Sequence, residues 1–391
     1  MPKHCKIHSA TIKLIDRYKF NSIDQYLSRQ FIAKSKTESK HTILVQCSED
    51  YYYFSLFAEI AKQLERNHNF VTEQLVLRSL RPDSSLSLTY FIKSRLVFNR
   101  FTDNRWVKLY SSFCDKIAFR SDSAFKLSDI PLLHKASKIW RSIESKEDLV
   151  KLNIDGIHVG DLINDSYLRY KPAPTVDIKN SYLLIVIWQC LRTLSQSQVY
   201  FSINKPTLFL SSYSTYIQHG IPVRVAIKQG VNVYTFGNYQ EFAKKISTVD
   251  LVHTASHRNY KTEFLALDNQ IDRRALAEKQ LQARTSGIID TATAYMKKSA
   301  YEETGEEVPD VKDAIVIFLH DFFDSPHVYN WMIFSDFYEW LTFTINVALE
   351  NNLKLFIKPH PNQIKNSEAV VADIKAQYPE IPFLSTSITN K

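Results

Sequence analysis

In LFIKPHPNQIK, residues 355–365, an apolar run stops at a lysine, a histidine and two prolines. Lys358 offers a point charge and His360 an imidazole whose protonation can follow a phosphate. Pro359 and Pro361 fix φ beside them, so less entropy is lost when a ligand arrives. Two further apolar runs end in polar groups. AIVIFL is followed by His320 and Asp321, and IPFL by the hydroxyls of Ser385, Thr386 and Ser387, short donors to phosphoryl oxygens. Ligands of open parallel α/β sheets sit beyond the carboxyl ends of the strands. Together the three ends describe a phosphate clamp; taken singly they are a solvated lysine, a turn histidine and a polar loop.

These ends belong to an alternation that starts at Ala314. It reads as strand AIVIFL, loop HDFFDSPH, helix DFYEWLTFTINVALENN, strand LKLFI, loop KPHPN, a helix from Ser367 to Tyr378 and strand IPFL. Stable doubly wound domains usually have about four to six strands, so this one is expected to be short or incomplete, a module of a longer protein. An earlier alternation begins at HTILVQC (41–47), continues through helix YYYFSLFAEIAKQLERN and strands FVTEQLVLRSL and FCDKIAFRS, and reaches a polar, turn-rich loop at 153–177. A helix (180–196), strand TLFLSS, a helix from Tyr213 to Gln229, strand VNVYTF and a short strand in STVDLVHTA follow. Alternation of this kind predicts parallel sheets covered by helices. Residues 257–299 read as helical and YEETGEEVPDVKD (301–313) as an acidic hinge. The expected division is an N-terminal α/β domain over 1–300, the hinge at 301–313 and a C-terminal α/β domain over 314–391.

Composition narrows the classes. With 45% hydrophobic and 23% charged residues the chain is an ordinary globular protein. No uncharged apolar run reaches the roughly 18 residues of a membrane span, and the N-terminus lacks a signal-peptide pattern, so a cytoplasmic location is expected. Four scattered cysteines without a C-x-x-C pair disfavour zinc and disulfides. His253 and His257 lack a third ligand at metal spacing, and no metal is expected. A net charge of +8 favours anionic partners. The chain has no RNA-binding signature and no basic run of five or more, which argues against nucleic acid. With seven glycines and neither a Walker A nor a G-x-G-x-x-G pattern, it is neither a P-loop ATPase nor a typical dinucleotide binder.

K-P-H-P with a serine and threonine cluster about 25 residues later resembles the His-Pro and Ser/Thr motifs of bacterial CMP-sugar glycosyltransferases of the GT-B fold. FLHDFFDSPHVYNWMIFSDFYEWLTFT with GIHVGDLINDSYLR resembles, more narrowly, the retaining β-Kdo transferase modules of O-antigen and capsule assembly proteins. The similarity runs roughly from residue 40 onward. It implies two Rossmann-like domains facing a cleft, and transfer of Kdo from CMP-β-Kdo to an undecaprenyl-linked glycan with retention. It also implies no cofactor beyond the donor, neighbouring transferase modules as partners, and a peripheral place at the inner face of the inner membrane. His360 would bind the cytidylate phosphate with Ser385, Thr386 and Ser387 beside it; His320 and Lys358 would line the same pocket. The first domain would supply the acceptor surface and the catalytic groups.

One position departs from that pattern. Where the retaining transferases carry a nucleophilic aspartate after Gly-Val, this chain has Asn232, expected at the start of a buried strand; a carboxamide is a far poorer nucleophile. A nucleophile variant, another nucleophile, a different placement of the motif and a plain buried asparagine all remain open. In GDLINDSYLR, Asp161 could serve as acid or base or bind acceptor hydroxyls, and Arg169 could pair with the sugar carboxylate; with Asp165 they could equally be capping and surface charges. His219 and Arg224 lie in the helix before the Asn232 strand. A sialyl-type CMP-sugar transferase and a catalytically idle glycan-binding module are the alternative functions.

Overall fold

The computed structural model describes residues 19–32, 41–77, 80, 105–120, 127–236, 243–254, 260–290, 293, 296–329, 332–363 and 366–391. Over these residues the chain divides into two compact units, the first drawn from 1–166, 178–237 and 241–253, the second from 167–177 and 254–391.

The first unit carries α1 (Ser22–Gln30), β1 (His41–Cys47), α2 (Tyr51–His68), β2 (Phe70–Val76), α3 (Arg105–Tyr110), β3 (Lys116–Arg120), α4 (Ile130–Ser142), α5 (Lys146–Val150), β4 (Asn153–Ile154) and β5 (Ile157–His158). Helix α6 (Gly160–Tyr170) comes next, its residues from Tyr167 on belonging to the second unit, then α7 (Ser181–Ile203), β6 (Leu208–Ser211), α8 (Tyr216–Lys228), β7 (Asn232–Thr235) and β8 (Lys244–Ile246). Its six-stranded sheet has the order β3-β2-β1-β6-β7-β8, parallel except for β8, which runs antiparallel to β7. The fold is therefore α/β with a mostly parallel sheet.

Strand β1 is central, and Ile43–Cys47 are buried without alternation, as expected of a strand covered on both faces. Helix α2 begins where the Asp50 carboxylate accepts the Tyr52 N–H at 2.7 Å, and ends at Asn69 in the left-handed region (φ 53°). It packs Phe54 and Phe57 with Tyr110 and Phe113 into an aromatic core, Phe54 meeting Tyr110 edge to face at 5.2 Å. The chain leaves β1 toward β2 and β3, then returns to the other side of β1 as β6. The carboxyl ends of β1 and β6 thus form the sheet's topological switch point.

The stretch 153–177 is a loop only over its last seven residues, 171–177. It holds the β4–β5 hairpin and α6, in which Leu162–Leu168 are all buried. Polar side chains that read as a surface turn are helical because neighbours satisfy them, as where Ser166 Oγ accepts the Ile217 N–H at 2.9 Å.

The second unit contains α9 (Tyr260–Leu265), α10 (Gln270–Thr285), β9 (Ile315–Phe318), α11 (Phe337–Glu350), β10 (Leu355–Lys358) and α12 (Ser367–Gln377). Strands β9 and β10 pair in parallel from Ile315↔Leu355 to Phe318↔Lys358. Leu341 and Ile345 of α11 and Ile374 of α12 pack with Ile357 and Phe322 in its core. The third expected strand reduces to one parallel bridge, Ile357↔Phe383, framed by Ile357 N–H to Pro382 O (3.1 Å) and Leu384 N–H to Ile357 O (2.8 Å).

The division also falls earlier than expected. Residues 167–177 and 254–313 belong to the second unit because they bond to it. Thr175 Oγ1 donates to Asp336 at 2.6 Å, Thr254 Oγ1 to Val328 O at 3.0 Å, and Asn390 N–H to Ala300 O at 2.8 Å. The expected hinge is tied to the second unit in the same way, Lys391 donating to Glu303 at 2.6 Å. Of the 257–299 stretch, helices α9 and α10 are seen; His257 lies outside the described residues.

Candidate functional site

Three expected residues meet at the carboxyl ends of β9 and β10. Leu319 N–H donates to Lys358 O at 2.9 Å, which carries the ladder to the strand ends and sets His320 and His360 side by side, ring centres 6.5 Å apart. His320 stacks on Phe337 at 4.6 Å. Its Nδ1–H donates to Asp321 O (3.3 Å) and its Nε2 accepts from the Tyr329 hydroxyl (3.3 Å). Asp321 is buried, and its carboxylate accepts from Phe323 N–H and Ser367 Oγ, both at 3.0 Å, fastening the loop after β9 to the first residue of α12.

His360 is held from the opposite side. Its Nδ1 accepts the Asn362 N–H at 3.0 Å, which leaves the proton on Nε2 as a donor. Asn362 in turn accepts the N–H groups of Lys297 (2.9 Å) and Lys298 (3.0 Å) and donates to Lys298 O (2.8 Å). A rigid K-P-H-P-N loop follows from one side chain and two prolines. Burial, and then His320 beside it, pushes the His360 pKa down from its ordinary value.

Lys358 is 2% exposed, and its ammonium has no hydrogen-bond or ion-pair partner among the described residues. Burial pushes its pKa down as well. A buried cation lacking a counter-ion is costly, and the cost falls when an anion is bound.

The serine cluster is engaged elsewhere. Ser385 Oγ donates to Glu306 at 3.1 Å, Ser387 Oγ bonds the same carboxylate oxygen, and the two serine hydroxyls lie 2.6 Å apart. Thr386 is exposed. Glu306 read as part of an acidic hinge, and nothing in the sequence pairs it with these serines. An anion at Ser385 and Ser387 would face that carboxylate, so the anion-receptive part of the site is Lys358 and His360, with His320 beside them.

The three residues expected to do catalysis do not gather. Asn232 is exposed rather than buried: Val231, Val233 and Thr235 take the core face of β7, and alternation turns residue 232 away from it. It stands at the amino end of the strand, opposite Leu208, with Nδ2 at 3.4 Å from Thr207 O, on the sheet edge opposite the carboxyl ends. Asp161 is clamped by Arg224 through two bonds of 2.6 and 2.5 Å, while the same guanidinium donates to His158 O at 2.7 Å. Both carboxylate oxygens of Asp161 thus serve an ion pair. Arg169, in the last turn of α6, is exposed. Asp165 is buried beside the Asn164 amide, not a surface charge.

Among the described residues no cluster has the composition of a metal site, and no helix is long and apolar enough to cross a membrane. No protein-family model, curated protein or solved structure matches the chain.

Proposed function

We propose that the chain is a glycosyltransferase that takes Kdo from CMP-β-Kdo and passes it, with retention, to a lipid-linked bacterial surface polysaccharide. In this reading the cytidylate phosphate binds His360 and Lys358 in the second unit, with His320 lining the same pocket. The observation that carries it is the buried, unpartnered ammonium of Lys358 beside the open Nε2–H of His360. Two donors at the carboxyl end of β10 are suited to a phosphoryl group, and a net charge of +8 suits an acidic sugar donor. The sugar and the acceptor come from the resemblance carried by the K-P-H-P and G-D-L-I-N-D-S-Y-L-R stretches, as does a place at the inner face of the membrane. Residue 232, an exposed carboxamide at the amino edge of its sheet, is not used as nucleophile in this reading.

Calorimetry tests the donor site. CMP should bind the wild-type chain, and His360→Ala should weaken it by about 1.5 kcal/mol, the contribution of one charge-assisted hydrogen bond. A wild-type chain without CMP affinity overturns the assignment. Product analysis with CMP-Kdo and CMP-sialic acid decides the sugar, and an α-linked Kdo product excludes retention. The commitment of both Asp161 carboxylate oxygens to Arg224 favours a second reading, a glycan-binding module without transfer; that reading requires glycan affinity with no affinity for CMP.

A further inference from the structure

The switch point of the first unit carries a second cluster that the donor site does not use. Gln46, Ser211 and Thr235 lie in one row across β1, β6 and β7: Val45 pairs with Leu210, one residue before Gln46 and Ser211, and Ser211 pairs with Thr235. Gln46 Oε1 accepts from Ser211 Oγ (2.7 Å), Ser212 N–H (2.9 Å) and Ser212 Oγ (3.0 Å). With its oxygen thus fixed, the Gln46 amide turns its NH2 to Nδ1 of His219 in the first turns of α8. The imidazole proton therefore sits on Nε2, for which no acceptor is present among the described residues.

An aromatic wall completes the cluster. Tyr213, half-buried, meets the His219 ring edge to face at 5.5 Å and the His253 ring at 5.2 Å, and Tyr53 backs it at 5.5 Å. Ser214 N–H donates to Nδ1 of His253 at 3.3 Å. Burial, followed by the neighbouring His253, lowers the His219 pKa to about 3, so the ring is neutral at working pH. A neutral donor and an aromatic face bring no positive charge to a phosphate and suit a ring with hydroxyls on its edge and C–H groups on its face.

We propose that this switch-point crevice binds an uncharged sugar ring, with the Nε2–H of His219 donating to a ring hydroxyl and Tyr213 packing against its apolar face. The Gln46 and Ser212 network acts as a positioning device that fixes the His219 tautomer. That the bound sugar is the acceptor of the transfer rests on the proposed function; that a sugar binds here does not.

The test follows the histidine side chains of the 15N-labelled full chain by NMR during titration with methyl glycosides of neutral hexoses and N-acetylhexosamines, and separately with CMP. A saturable shift of the His219 Nε2 signal by at least one glycoside is expected, with CMP moving His320 and His360 instead. His219→Gln should weaken the glycoside at least about tenfold and leave CMP affinity unchanged. Tyr213→Leu should weaken it with the His219 tautomer intact, which separates loss of the aromatic face from loss of fold. Absence of a saturable His219 shift with every glycoside overturns the inference, and so does a glycoside that moves only His320 or His360. Glycoside binding without CMP binding would sink the donor site and leave this one standing.

Discussion

Lys358 is under two opposed demands, and they can be measured separately. Without ligand, its lowered pKa means that the folded chain holds the proton less well than the unfolded one does. The penalty grows as pH falls from the unfolded lysine value of about 10.4 toward the folded one, and is constant below it. Lys358→Met should therefore stabilise the unliganded chain at pH 7 by about 1–3 kcal/mol in urea melts, while weakening CMP at least about tenfold. Unchanged stability would mean that water already solvates the ammonium. A phosphate should raise the depressed His360 pKa, and the proton taken up goes to Nδ1 in place of the Asn362 N–H bond, so affinity should rise as pH is lowered from about 8 to 6, toward the second phosphate pKa. Calorimetry in two buffers of different ionisation heat reads that proton directly, and release instead of uptake would refute it. Lys358 and His360 were legible because prolines and an abrupt end to an apolar run mark them. Glu306, 79 residues before Ser385, carried no local signal.

Helix α6 shows what a single element can require. A Cβ on Gly160 would lie 2.0 Å from Leu149 O and 2.3 Å from Val150 O, so the turn into α6 closes only around glycine. That approach brings Asp161 onto Arg224. Asp161→Asn should cost about 3–5 kcal/mol, since it leaves a buried guanidinium uncompensated, and Asp161→Leu with Arg224→Met should recover much of it. Denaturant melts decide between this and a surface pair, for which loss would be below about 1 kcal/mol. Other elements were legible almost to their ends: β6, β10 and α12 from their apolar runs, and α2 and α11 also from the capping residues Asp50 and Asp336. Helix α6 was missed because it is buried nearly all round, so its polar residues break the amphipathic pattern. The strand expected in STVDLVHTA lies instead at β8, where Lys244 and Lys245 conceal it from a hydrophobicity reading.

At the scale of the molecule, the two units place the expected anion site and the neutral switch point on different sheets. Hydrogen exchange can localise both. Saturating CMP should slow exchange at 297–306 and 358–362 in the second unit, since the Asn362 bonds join these segments, and should leave β1 and β6 unaffected. Slowing confined to the first unit would reverse the assignment of donor and sugar sites. The α/β class was legible from alternation alone. The boundary was not, because residues 167–177 and 254–313 join the second unit through polar bonds to distant residues, such as Thr175 to Asp336 across 161 positions.

The clasp of Asn362 on Lys297 and Lys298 has a consequence for how the protein is made. Partners 65 and 64 residues apart must find one another before His360 is fixed, so the K-P-H-P-N loop should mature late in folding, after the β9–β10 pair and its helices have formed. During synthesis the earlier partner leaves the ribosome first and waits. A fragment begun at residue 314, where the alternation of strands and helices restarts, would keep both strands and both prolines yet lose the latch, and with it the orientation of the imidazole.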